Sequence, residues 1–551
     1  MASLARTIVE LVSTECVLKN PWTDFLIGDY MSKEILINSG IREVRAAVLT
    51  GGNVSEIFIE RVNKKSAAGN IYKGKVVKVL PGMQSAFVEI GLQRAAFLHI
   101  ADIYTGSSDE LSYEESMPED DSEANENYDK ENSETRVSEE IHSEQQHYAP
   151  IAEILTEGQE IIVQVAKDAI AAKGARLTTH LTIPGRYLVL MPGYEHIGVS
   201  RKIENEAERE RLKDILVQLR PEGMGLIART VSDGLSLEEL KADLEYIKGV
   251  WAGVEAVTHS STAPSLLYED HNLIYKILRD VVTADTTRIL IDNKEDYDKM
   301  QEFFVNHLSN LDLKIEYYQG DEPLFDLYNV EIEVNRLLDK KVWLRSGGSI
   351  VIDQAEALTV IDVNTGKYVG RHNFDDTILK TNLEASKEIA HQLKMRNIGG
   401  IIIVDFIDME RVEDREKVLT TLEQYLKEDR AKTSVVNISP LGLVEITRKR
   451  VRDSVTRIIS EPCPYCEGRG VIKSKITVCY EIMRQLTQLA SHHKGANILI
   501  EANVDVADLI LEHERESIDN MEQLYGVHIE IQQNNSGIFD RYKLKITGYK
   551  H

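Results

Sequence analysis

The chain has 551 residues, 42% hydrophobic and 28% charged, which suits a soluble protein of several globular domains and excludes a fibrous one. No apolar run approaches the ~20 residues that span a bilayer, and four cysteines in so long a chain exclude a disulfide framework and point to a reducing cytoplasm. A net charge of −26 weighs at first sight against a nucleic-acid partner.

Met31 opens an apolar-polar run that reads as a natural protein start. Residues 1–30 are therefore expected to be an N-terminal extension, with an extra native helix as the alternative. Residues 70–102 then read as short strands divided by Pro81, Gly82 and Gly91. The strand pattern breaks at 106–149, where fifteen acids face two bases, Lys130 and Arg136, so the segment carries 2 − 15 = −13. It is poor in apolar residues and should be disordered. It is read as a solvated loop, or as a decoy that repels or mimics a polyanion. Since it holds half of the excess charge, the remainder is only mildly acidic and local basic surfaces become admissible. The strand pattern resumes at 158–167, and Lys167, Lys173 and Arg176 bring bases. Short strands, glycine turns, two phenylalanines (Phe87 and Phe97) and interleaved lysines describe an OB-type barrel. Such barrels bind single strands by stacking bases on aromatic rings beside a basic groove. Either ring taken alone reads as core.

Residues 181–275 follow as a further domain. Gly185 and Val189 lie in one strand-like stretch, and Arg229 and Thr230 close another. An arginine can fork onto two phosphate oxygens while a hydroxyl donates a third bond, which suits a terminal phosphate. As bare chemistry, an arginine after a strand is a surface residue.

Two aspartates, Asp362 and Asp405, each end a strand-like apolar run, at 357–364 and 401–408. Between them 376–396 has helical spacing, and Gly399 and Gly400 close it. This is a β-α-β unit with parallel strands, which brings both carboxylates to one sheet edge. Converging carboxylates repel unless a cation bridges them, and oxygen ligands suit magnesium or manganese. The alternative is a pair of aspartates that cap the following loops. Asn364, two residues beyond Asp362, shares its strand face. Asp408 is a candidate outer neighbour. Arg448, Lys449, Arg450 and Arg452 place four bases in five residues on a predicted helix, either a solvated face or a phosphate-tracking strip.

Cys463 and Cys466 have the spacing of a zinc knuckle and also match one C-x-x-C-x-G-x-G repeat of DnaJ-type chaperones. Cys16 and Cys479 stand alone, so two thiolates must be completed by a second chain, as across a two-fold axis. A redox pair and an unliganded reduced pair are the rivals. The redox pair is disfavoured by the lack of an adjacent strand-helix-strand pattern. Residues 476–551 form a small α/β tail, with helix at 478–489, strands at 497–501 and 528–532, and helical material at 504–524.

From residue 31 to the end, the chain resembles the ribonuclease E/G family. The motifs Thr359-Val-Ile-Asp362-Val-Asn364, Thr381-Asn-Leu-Glu-Ala385, Gly400 to Met409 and Cys463-Pro-Tyr-Cys466 carry the resemblance in order and spacing. It implies a multidomain α/β (α+β) fold. An RNase H-like subdomain (31–65 and 276–338) is interrupted by an OB-fold RNA-binding barrel of S1 type (66–180, with the acidic insertion 106–149) and a 5′-sensor domain (181–275). A DNase I-like catalytic domain (339–459), a zinc link (460–475) and a small C-terminal domain (476–551) follow. The resemblance implies RNA contacts at Phe87, Phe97 and Lys173. Arg229, Thr230, Gly185 and Val189 would hold a 5′-monophosphate end, and Lys432 stands where the family often has an arginine. It implies Asp362 and Asp405 as ligands of one Mg²⁺ with Asn364 orienting them, and Cys463 and Cys466 as ligands of a Zn²⁺ shared between two chains. The implied activity is endonucleolytic hydrolysis of single-stranded, A/U-rich RNA, including rRNA precursors and mRNA. Its products carry 5′-phosphate and 3′-hydroxyl ends, and the enzyme works as a dimer or tetramer. The rival of another class is a non-catalytic RNA-binding or assembly protein using the barrel and zinc link.

Overall fold

The computed structural model describes residues 32–62, 66–104, 150–169, 174–270, 272–308, 311–366, 374–436, 438–439, 442–450, 452–534 and 540–549. The expectations for residues 1–30, for the acidic insertion, for Lys173 and for Cys16 lie outside them. The chain divides into two units, at 1–458 and 459–551.

The first unit begins with three antiparallel strands, Lys33–Ser39, Glu43–Thr50 and Asn53–Arg61. Ile35, Leu36 and Ile37 are all fully buried, the unbroken apolar run of a strand covered on both faces. That strand pairs in parallel with Thr286–Ile291, beside Lys314–Tyr317. Thus one five-stranded sheet is closed by residues more than two hundred positions apart, and the intervening chain builds two other bodies.

The first is a barrel. Ile71–Leu80, Ser85–Glu89, Ala96–His99, Arg176–Thr178 and Glu160–Lys167 pair in turn, and the last returns to the first. Alternate residues Val76, Ala86, Val88, Leu98, Val163, Val165 and Leu177 fill its interior. Ser265–Tyr268 pairs on the outside of Ile71–Leu80. The second body is a sheet of Ile183–Pro184, Leu188–Pro192, Met224–Ala228 and Ile197–Val199, packed on helices Glu206–Leu219 and Leu237–Ser260. The longer helix opens with a capping box, Ser236 and Glu239 satisfying each other's backbone N–H groups.

A six-stranded sheet follows, in the order Lys341–Trp343, Ser349–Gln354, Leu358–Asn364, Gly400–Asp405, Leu443–Arg448, Thr433–Val435. Helices Phe374–Met395 and Val412–Lys427 cover one of its faces. Ile350, Ile361, Val363, Ile402, Val404, Val444 and Ile446 point into that core, with Ile389, Leu393, Val418 and Leu422 from the helices. Their neighbours along each strand alternate onto the opposite face.

The strand Leu443–Arg448 corrects the predicted basic helix. Val444, Ile446 and Arg448 are buried and their neighbours Glu445 and Thr447 are exposed, a period of two. Arg448 turns into the core, where Nε donates to Asp429 Oδ2 at 2.7 Å and Nη1 to the Ile398 carbonyl at 2.9 Å. The Arg452 guanidinium sits 3.7 Å over the Phe58 ring, and burial lowers its pKa to about 10. These two bases hold the fold and do not form a phosphate-tracking strip.

The second unit contains helix Lys475–His492 and a sheet in the order His528–Asn534, Ala496–Asn503, Lys543–Tyr549. The first two strands are parallel and are joined by helices Val504–His513 and Arg515–Tyr525. This strand-helix-strand unit begins only after helix Lys475–His492, so the cysteine pair lies outside it. Among the described residues, no helix is long and apolar enough to cross a membrane.

Candidate functional site

Leu358–Asn364 and Gly400–Asp405 are parallel neighbours, and Asp362 stands opposite Asp405 in register. Both point to the face away from the helices and are exposed. With Val363, Asn364, Thr365, Phe406, Ile407 and Asp408 they line an open cleft of about 310 Å³. Asn364 donates its amide N–H to Asp362 Oδ2 at 2.7 Å, which fixes that carboxylate. Among the described residues neither aspartate is in an ion pair, and no group of three or more His, Cys, Asp or Glu is placed to hold a metal. The donor set is therefore a carboxylate pair facing solvent. That suits Mg²⁺, which binds through one or two carboxylates and retains water and phosphate oxygens.

The second motif of the resemblance proves to be what shapes this cleft. Asn382, fully buried on helix Phe374–Met395, grips the loop after Asp405 twice. Its Nδ2 donates to the Ile407 carbonyl at 2.8 Å, and its Oδ1 accepts from the Ile407 N–H at 3.2 Å. Two residues on, Glu384 Oε2 accepts from the Ser346 N–H at 3.0 Å and anchors the turn beside Asn364. That turn requires glycine, because a Cβ on Gly348 would lie 2.8 Å from the Asn364 carbonyl oxygen. Neither role was legible in the sequence, where Asn382 and Glu384 are two polar residues within a helix.

On the barrel, Phe87 and Phe97 are half-buried partners on adjacent strands, with ring centroids 6.1 Å apart. Lys78 pairs with Phe87, Phe97 with Arg176, and Arg176 with Lys167. Residues opposite one another share a face. Base, ring, ring, base, base thus form one stripe around the outside of the barrel. Lys78 joins the predicted residues, Arg176 is held by Asp102 through Nε to Oδ2 at 2.9 Å and Nη2 to Oδ1 at 3.0 Å, and His99, 6.4 Å from Phe97, extends the aromatic row.

Gly185, Val189, Arg229 and Thr230 fall on or beside neighbouring strands of one sheet. Arg229 is 9% exposed, and its Nη1 contacts the Gly185 carbonyl at 2.7 Å and Asp280 Oδ1 at 2.8 Å. Burial raises the Asp280 pKa, but the Arg279 and Arg229 guanidiniums outweigh it and hold the carboxyl below its ordinary value. Thr230 is exposed, its Oγ1 2.9 Å from Ser200 Oγ. Val189 is half-buried and packs against Met191. Asp243 accepts from the Arg186, Tyr187 and Leu188 N–H groups, clamping the loop that begins at Gly185. Burial pushes its pKa up against those three bonds. Lys432 is half-buried, whereas it is Arg430 that donates to the carbonyls of Asp280 and Val281, at 3.3 and 3.2 Å.

Cys463 is exposed and Cys466 half-buried on a turn before helix Lys475–His492, so neither sulfur sits at a helix N-terminus. Cys466 Sγ accepts from the Gly470 N–H at 3.4 Å. That bond and the Gly468 N–H draw its pKa below the ordinary thiol value, against burial. Such a turn favours a thiolate, the form that binds zinc.

A carboxylate cleft and a barrel with an aromatic-basic stripe, carried in one unit, define an enzyme that acts on nucleic acid. Residues 182–451 match the Ribonuclease E/G family, and residues 462–547 match the family's domain described as "RNase E/G, Thioredoxin-like domain". The chain is 43% identical over 504 residues to ribonuclease G of Salmonella typhimurium (strain SL1344), covering 91% of this chain and 97% of the relative. It has the same identity and coverage with ribonuclease G of Escherichia coli (strain K12). It is 34% identical over 507 residues to ribonuclease E of Haemophilus influenzae (strain ATCC 51907 / DSM 11121 / KW20 / Rd), covering 92% of this chain and 51% of that protein. The chain belongs to the ribonuclease E/G family.

Proposed function

We propose that this endoribonuclease hydrolyses single-stranded, A/U-rich RNA in rRNA precursors and mRNA at the Asp362–Asp405 cleft, using one Mg²⁺. The observation that carries the reading is the register of the two aspartates, opposite each other and unpaired with any described base. Asp362 and Asp405 would hold the ion, and Asn364 sets the Asp362 carboxylate for it. When bound, the ion supplies charge neutralisation at the scissile phosphate and a water of lowered pKa. Water adds to phosphorus and the P–O3′ bond breaks, leaving 5′-phosphate and 3′-hydroxyl ends. The loop 406–408, gripped by Asn382, bounds the phosphodiester on one side, and the turn held by Glu384 bounds it on the other.

The barrel stripe, with Phe87 and Phe97 between Lys78 and Lys167, stacks bases and tracks phosphates. Lys173, outside the described residues, is proposed as a further RNA-binding base on the family resemblance. Arg229 and Thr230, backed by Gly185 and Val189, receive a 5′-monophosphate and raise the rate by fixing one end of the substrate. Cys463 and Cys466 provide half of a Zn²⁺ site completed by a second chain, giving a homo-oligomer. We read residues 31–65 with 276–338 as the RNase H-like subdomain and 339–459 as the DNase I-like catalytic domain.

The test is cleavage of a short A/U-rich RNA with a 5′-monophosphate, with Mg²⁺ and with excess chelator. Mg²⁺-dependent product with 5′-phosphate ends is the expected result. Equal cleavage in both conditions overturns the metal reading. A binder without chemistry has no use for paired carboxylates that repel phosphate, and a Mg²⁺-independent lack of product would favour it.

A further inference from the structure

Two rows of residues cross the exposed face of the catalytic sheet. Lys341 stands opposite Val351, Val351 opposite Asp362, and Asp362 opposite Asp405. In the next row Trp343 stands opposite Ser349 and Ser349 opposite Asn364. Opposed residues project to the same side. Trp343 therefore shares the face of Asp362 and Asn364, two strand spacings, about 10 Å, from Asn364 and one residue pair further along from Asp362. Its sequence neighbour Val342 packs on the opposite side, against the core. Trp343 is 64% exposed, and Lys341 Nζ lies 4.1 Å from its ring centroid.

A single exposed indole needs no cover by itself, but this one stands on the face of the carboxylates with a cation over its ring. A cation on an aromatic ring is the pairing that receives a base and its phosphate together, and the ring stands on the same face of the sheet as the carboxylates. We propose that Trp343 and Lys341 form a stacking platform for the base next to the scissile phosphate, with the Lys341 ammonium on the adjoining phosphate. The platform rests on the proposed cleavage site at Asp362 and Asp405. It would hold the reacting phosphodiester in line with the cleft, making Trp343 a positioning residue that contacts substrate.

The chain has three tryptophans. Trp251 is only 9% exposed, so Trp343 should dominate any response to RNA among the described residues. The test uses the full chain with Asp405→Asn to block turnover. Titration with a short single-stranded RNA should quench tryptophan emission, and Trp343→Phe should remove that quenching while keeping a ring to stack on. In the active background, Trp343→Ala should lower kcat/KM about 5- to 150-fold, and Trp343→Phe should recover most of it. An abasic nucleotide at one of the two positions flanking the cut should cost the wild type the same factor and cost Trp343→Ala nothing further. Quenching that survives in Trp343→Phe, or additive losses from the abasic nucleotide and Trp343→Ala, would overturn the platform. A Trp343→Ala protein that changes its sedimentation but keeps wild-type kcat/KM would assign the ring to a protein contact and overturn it equally. Failure of the underlying site is separate, since it shows as cleavage surviving in both Asp362→Asn and Asp405→Asn.

Discussion

Asn382 shows how one buried amide can govern a site it does not enter. It satisfies both the N–H and the carbonyl of Ile407, and so holds the loop that follows Asp405. Asn382→Ala would leave both groups unpaired next to the core, at about 1–3 kcal/mol, and free the loop to shift. A displacement of an ångström at a reacting centre costs about 100-fold in rate. We expect kcat to fall by that order with KM for RNA little changed, and the melting temperature to drop. Unchanged kcat in a stably folded variant would contradict the assignment. The aspartates were legible in the sequence because each ends an apolar run, and strand ends are where α/β sheets gather ligands. Asn382 was not, because a polar residue within a helix pattern reads as surface, and only the fold shows that its side of helix Phe374–Met395 is turned into the core.

At the scale of elements, the same contrast separates two stretches. The β-α-β unit was legible because two short apolar runs flank a stretch of 3.6-residue period, and the helix spans Phe374–Met395 against a predicted 376–396. Leu443–Arg448 was misread because its charges outweighed the alternation of Val444 and Ile446, the signal that would have found the strand. The loop that starts at Gly185 carries a consequence of its own. A Cβ there would fall 2.4 Å from Asp243 Oδ2, in the carboxylate that clamps residues 186–188. Gly185→Ala should cost about 1–3 kcal/mol by overpacking and displace the carbonyl that Arg229 grips. Stimulation by a 5′-monophosphate should be lost while cleavage of the same RNA bearing a 5′-hydroxyl persists. A variant that still prefers the monophosphate would contradict the sensor assignment.

For the whole molecule, the formal charge misleads, since −13 of −26 belongs to residues 106–149 alone and the described barrel carries a basic-aromatic stripe. The sheet joining 33–61 to 286–317 is a non-local pairing that no local pattern announces. The proposed oligomeric assembly rests on the cysteine count. Two thiolates cannot close a tetrahedral zinc site, so the metal content should be about half an ion per chain, and strong chelation should dissociate the assembly. A full zinc per chain, or an oligomer indifferent to chelator and to Cys466→Ser, would contradict a shared site. The central claim is that Asp362 and Asp405 jointly perform the cleavage. Its most direct test is Mg²⁺-dependent cleavage of a 5′-monophosphorylated single-stranded RNA by Asp362→Asn and Asp405→Asn, with RNA binding measured on the same proteins. We predict that both variants bind RNA as the wild type does and yield no product; cleavage at the wild-type rate in both would contradict the account.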